Sequence, residues 1–216
     1  MPIINLVYEA PREWKPWANT LIYYNFEDNI NDQSWNSRNA TSGWTISYWI
    51  TTQGKKYINL SSWWLVFPNL SYSTPTTFAV RFKQNSSSGD DWVFDMSTWW
   101  IDGVIMRVRW TQFATRYPNW WTSKSISFGT SWSLAVVSCS SSWINYYMNW
   151  NSTEVWSTTA WNSTYTASWS RIWTEWQSNY ERNQDLYVWS FIIEDKAWTV
   201  DDYINYYNQT KSNYWL

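Results

Sequence analysis

Along most of this chain, apolar and polar positions alternate with a period of two, interrupted every few residues by clusters of Ser, Thr and Asn. That pattern predicts short antiparallel strands joined by turns, as in a β-sandwich or barrel. The clearest case is "TTFAVRFKQ" (76–84), which sets Phe78, Val80 and Phe82 on one face and Thr77, Ala79 and Arg81 on the other. Strands are also predicted at 20–27, 56–60, 65–70, 91–96, 103–110 and 111–117. "SLAVVSCS" (133–140) is a short, strongly apolar run of the kind found in central strands. Residues 144–149 and 152–158 read as a hairpin, and 185–195 as the last long strand. Only the tail has helical spacing. Thr199 can cap a helix, with Asp202 three positions later, where a capping box usually carries Glu or Gln. Val200, Tyr203, Ile204 and Tyr207 then form a one-sided stripe. The fold class expected is all-β, an antiparallel sandwich of jelly-roll type with a short C-terminal helix. Residues 1–18 read as an N-terminal arm and 19–216 as one domain, a size that β-sandwiches commonly reach.

One stretch conflicts with the pattern. In "RYPNWWTSKSIS" (116–127), Trp120 and Trp121 follow Asn119 where a turn is expected. Tight hairpin turns favour Asn-Gly, because both central residues need positive φ. Composition sharpens the conflict: the chain has 24 Trp but only 5 Gly, where an ordinary composition would give roughly 15 Gly.

Charge and cysteine content narrow the chemistry. Fifteen basic against 17 acidic residues, net −2, leave no electrostatic footprint for nucleic acid. No apolar run has the length of a membrane helix. The start of the chain lacks the pattern of a signal peptide, which fits a cytoplasmic protein, a virion component or a piece of a longer cell-surface protein. The absence of histidine removes Ser-His-Asp and Cys-His catalysis and His-based zinc sites. The single cysteine, Cys139, is expected to pack as a small apolar side chain.

Four stretches carry a resemblance: "LIYYNFEDNINDQSWNSRNAT", "GTSWSLAVVS", "INYYMNWNSTEV" and "SFIIEDKAWTVDDYINYYN". In this order they resemble the concanavalin A-like lectin/glucanase superfamily, specifically the laminin-G-like jelly-roll domains of bacterial surface and phage proteins. Trp35 and Trp150 stand where the resembling pattern has glycine, while Trp132 and Trp198 fall where it accepts a large apolar residue. One reading is that several tryptophans, with Trp35, Trp110, Trp120, Trp121 and Trp150 the strongest candidates, are glycines encoded by UGA in an alternative genetic code. Trp17, Trp44, Trp49 and Trp92 stay undecided. The other reading is a truly Trp-rich chain.

The glucanases of that superfamily carry alternating acids on one strand, as nucleophile and acid. This chain has only the adjacent pairs Glu27-Asp28, Asp90-Asp91 and Glu194-Asp195, whose members point to opposite faces of a strand. The chain is therefore not expected to be an enzyme. The resemblance implies a possible structural Ca²⁺, for which Asp28, Asp32, Asp90 and Asp91 are the candidate ligands. Carbohydrate binding would use aromatic faces and planar polar groups, with Trp92, Arg107, Arg109, Tyr117, Tyr180, Arg182 and Asn183 as candidates. The expected function is a non-catalytic module that recognises a glycan or other surface ligand within a larger assembly. The alternative is a structural spacer without sugar affinity.

Overall fold

The structure is a computed structural model, described for residues 14–43, 45–51, 54–60, 65–73, 75–84, 90–98, 102–109, 112–117, 120–125, 132–149, 151–159, 165–167, 169–172 and 186–211. Its strands are β1 (Thr20–Tyr24), β2 (Tyr48–Ile50), β3 (Lys56–Asn59), β4 (Leu65–Val66), β5 (Ser71–Tyr72), β6 (Thr76–Gln84), β7 (Asp90–Thr98) and β8 (Asp102–Arg109). They continue with β9 (Gln112–Tyr117), β10 (Trp120–Ser125), β11 (Ser133–Cys139), β12 (Trp143–Met148), β13 (Asn151–Thr159), β14 (Tyr165–Thr166), β15 (Trp169–Ile172) and β16 (Leu186–Glu194). One helix, α1 (Val200–Thr210), follows.

The strands form two main antiparallel sheets. The eight-stranded sheet runs β13-β12-β11-β6-β16-β3-β2, and the six-stranded sheet runs β10-β9-β8-β7-β15-β4. β16 is the hub of the larger sheet. It pairs with β6 along one side, while β3 and β1 share its other side end to end. The core between the sheets contains Phe78, Val80 and Phe82 from β6, as the alternation predicts. Phe94 links the two sheets, with its ring centroid 5.6 Å from Phe78 and 5.2 Å from Phe191. Cys139 is buried there as a thiol, as expected.

The opposite face of β6 is buried as well. Ala79, Leu134, Val136 and Ile192 pack under α1, together with Trp198 and, from the N-terminal arm, Trp14. Arg81 lies in this second layer, 2% exposed. Its Nη2 donates to Thr210 Oγ1 at 2.6 Å, and its guanidinium lies about 6 Å from the rings of Trp189, Tyr206 and Tyr207. A cation at the C-terminal end of a helix also meets the negative end of its dipole.

The helix begins as its sequence suggests. Thr199 and Asp202 form a reciprocal capping box, so Asp serves where Glu or Gln is usual. The buried stripe differs from the expected one: it is Tyr203, Tyr206, Tyr207 and Thr210, and Val200 is exposed. The contacts of Thr210 with Arg81 and of Tyr206 with Ser190 fix this rotation.

The opening turn expectation is corrected. Trp120 pairs with Tyr117 and Trp121 with Arg116, so both tryptophans are strand residues of β10. The connection between the strands is the two-residue segment 118–119, which lies outside the described residues. An aromatic residue suits a strand, so no positive φ has to be met at 120 or 121. Trp35 occupies a turn and is 83% exposed, but the positive φ nearby falls on Ser37, at 54°. At the β12–β13 hairpin, Met148 pairs with Asn151, and Asn149 has φ 54°. Asn-Gly is the favoured pair at the centre of a two-residue hairpin turn, and in this sequence Asn149 is followed by Trp150. Trp110 and Trp150 themselves lie outside the described residues.

These placements separate the tryptophans in a testable way. Trp150→Gly is expected to stabilise the chain by about 1–3 kcal/mol, read as a higher melting temperature. Trp121→Gly is expected to destabilise it by about 1 kcal/mol, because glycine weakens a strand interior. Matching shifts for the two variants would contradict the register described here.

Candidate functional site: the outer face of the six-stranded sheet

Val104 and Met106 of β8 are buried in the core. The alternate positions, Ile105, Arg107 and Arg109, therefore belong to the outer face of the sheet. Directly paired residues share a face, so the register extends this set. Arg107 pairs with Trp92, and Arg109 with Asp90. Ile105 pairs with Asp95 on one side and Arg116 on the other, and Arg116 pairs with Trp121. Asp95 pairs in turn with Arg171 on β15. The Arg171 guanidinium has its pKa lowered by burial, an effect that the charge of Asp95 partly offsets.

Four of the eight arginines of a net-acidic chain thus map to one sheet face, with Trp92 and Trp121 among them. The two acids mapped there are Asp90 and Asp95. The bulge between Trp92 and Phe94 lets Val93 and Phe94 both enter the core. The sequence-based candidates Trp92, Arg107 and Arg109 hold neighbouring register positions on β7 and β8. Tyr117 closes the β9–β10 end of the sheet opposite Trp120. Tyr180, Arg182 and Asn183 lie outside the described residues. Arg116 and Arg171 were missed. Each lies on a strand adjacent to one already singled out, and pairing register was the signal needed to find them.

The calcium candidates do not converge. Asp32 is buried, and its Oδ1 accepts hydrogen bonds from the backbone N–H groups of Tyr23 and Ser34, both at 2.9 Å. Its Oδ2 accepts from Ser34 Oγ at 2.7 Å and from the Arg38 backbone N–H at 2.9 Å. Those four donors occupy the lone pairs that a cation would need. Asp28 instead forms an ion pair with Lys56. Asp90 and Asp91 take successive positions on β7, hence opposite faces. Among the described residues no group of three or more His, Cys, Asp or Glu could hold a metal ion. Asp32 is thus the brace of its loop.

No family model matches the chain, and no curated protein matches it in sequence. Solved structures do match its fold. The binding domain of botulinum neurotoxin serotype D superimposes with a TM-score of 0.69 at 14% identity, over 88% of this chain. A botulinum neurotoxin DC binding domain solved in complex with rat synaptotagmin II, and one solved in complex with SialylT, each give 0.68 at 10% identity over 88% of this chain. The chain spans about half the length of these domains, 51–52%. At such identities the likeness shows a shared all-β fold. Among the described residues no helix is long and apolar enough to cross a membrane.

Proposed function

We propose that the chain is a non-catalytic, laminin-G-like recognition module that binds a glycan on the outer face of its six-stranded sheet. The observation that carries this reading is the register that sets Trp92 against Arg107 and gathers Arg109, Arg116 and Arg171 on the same face. Guanidinium groups offer planar, paired donors to hydroxyl and carboxylate oxygens. An indole offers an apolar face to the C–H side of a sugar ring. The solved domains of the same fold include one in complex with rat synaptotagmin II and one in complex with SialylT, which supports a binding role.

A glycan array tests the reading. The full chain is expected to bind a restricted set of glycans. A variant carrying Arg107→Gln and Arg109→Gln is expected to lose about tenfold in affinity or more, the equivalent of one lost charge-assisted contact. An array silent for the full chain would favour the spacer role instead.

A further inference from the structure

The outer face of the eight-stranded sheet is covered by α1 over only part of its width. Next to Arg81, where the helix ends, a row of aromatic side chains crosses the sheet. Trp49 on β2 pairs with Tyr57 on β3, and its ring centroid lies 6.2 Å from that of Tyr187 on β16. Tyr57 lies 5.3 Å from Tyr187 on one side and 5.1 Å from Trp132, just before β11, on the other. Neighbouring ring planes differ by 35° to 74°, so the row presents a mixture of faces and edges. Trp49 is 49% exposed, and Tyr57, Tyr187 and Trp132 are half-buried.

This row falls outside the core and outside the Arg-rich face. Its composition differs from the apolar anchor of a protein interface, which is normally depleted in lysine. Here Lys83 pairs directly with Tyr187 and so shares its face. Lys83 has no ion-pair partner among the described residues, whereas Lys55, Lys56 and Lys196 all have one. A lysine on the same face as a group of aromatic rings complements a ligand that joins apolar ring faces to a negative charge. A carboxylate-bearing sugar has both.

We propose that Trp49, Tyr57, Tyr187, Trp132 and Lys83 form a second saccharide site, on the outer face of the eight-stranded sheet, that takes an acidic oligosaccharide. Sugar rings lie along the aromatic row, and the carboxylate of one unit meets Lys83. The site stands apart from the Arg-rich face and does not depend on it. Tyr57 and Tyr187 are tyrosines however the tryptophan codons are read.

Calorimetry on the full chain tests the site with two probes, an oligogalacturonate and sialyllactose, each alongside its carboxyl-reduced form. At least one acidic probe is expected to bind, and its reduced form to bind more weakly. Trp49→Ala and Tyr57→Phe are both expected to keep the fold, because Trp49 is exposed and Phe keeps the ring of Tyr57. Trp49→Ala is expected to weaken binding about fivefold to tenfold. Tyr57→Phe is expected to keep the affinity within about twofold, because stacking uses the ring. Lys83→Gln is expected to abolish the preference for the acidic form and to flatten the salt dependence of binding. Wild-type affinity in both Trp49→Ala and Lys83→Gln overturns the site, as does the failure of both acidic probes to bind. Binding that survives these two changes but is lost in the Arg107→Gln, Arg109→Gln variant overturns this site and leaves the glycan reading of the other face intact.

Discussion

Replacing Asp32 by Ala lowers the unfolding free energy by about 3–5 kcal/mol, the largest effect expected of any single polar substitution described here. The carboxylate accepts three backbone N–H groups and one hydroxyl, from Tyr23, Ser34 and Arg38. Those donors sit at both ends of the loop between β1 and Ala40. The loop is also tied by Gln33 N–H to the Tyr23 carbonyl at 2.7 Å and by Asp32 N–H to Asn39 Oδ1 at 2.9 Å. Removing the acceptor strands donors in a partly dry site, which costs more than the bonds themselves contributed. Asp32→Asn keeps one oxygen but turns an amide N–H₂ toward existing donors, so it is expected to cost about half as much. Urea unfolding of the two variants measures both. Added calcium is expected to leave the wild-type midpoint unchanged, and a calcium-dependent midpoint would contradict the bracing role.

The second large effect depends on pH. Glu194 is fully buried at the end of β16, and burial pushes its carboxyl up to about 7 from an ordinary 4.5. The hydroxyl of Thr20 donates to its Oε1 at 2.6 Å, and Lys196 and Trp198 also favour the charged form, while Asp202 opposes it. A carboxyl raised in the folded state holds a proton there that the unfolded chain releases. Stability therefore falls as pH rises from about 4.5 to about 7, and levels off above. The shift corresponds to about 3 kcal/mol. Glu194→Gln is expected to raise stability by about that amount at pH 8 and to change little near pH 4.5. Denaturant midpoints of the two proteins across that range decide the matter. Parallel curves would show that Glu194 does not titrate in this window. Asp202 acts in a different window: its partners Lys196 and Thr199 outweigh burial and hold its carboxyl below the usual value, so its stabilisation is lost only in stronger acid.

The strands most legible in the sequence were those whose alternation runs long. "TTFAVRFKQ" matches β6 residue for residue, because a long strand between two layers must alternate between two distinct environments. Trp120 and Trp121 follow Asn119, a turn-opening residue, but they pair with Tyr117 and Arg116 and so belong to a strand. β2, β5, β14 and β15 have only two to four residues each, too short for a period to show. Asp32 looked like a metal ligand because oxygen-rich loops serve both purposes; only its burial and its donors reveal the brace. The aromatic row was invisible for a different reason. Trp49, Tyr57 and Tyr187 come from separate strands and Trp132 from the residue before β11, and only the sheet order makes them neighbours.

The position of β16 governs how the protein can be made. Its pairing with β6, β3 and β1 fills the middle of the larger sheet, and Thr20 meets Glu194 across a sequence separation of 174. During synthesis the sheet has a missing centre until residues 186–194 emerge from the ribosome, so the earlier strands wait with unpaired edges. Such long-range closure makes for slow folding and a nascent chain that is prone to stick to itself. A nascent chain arrested before residue 186 should stay sensitive to protease, and one extended past 211 should become resistant in a single step.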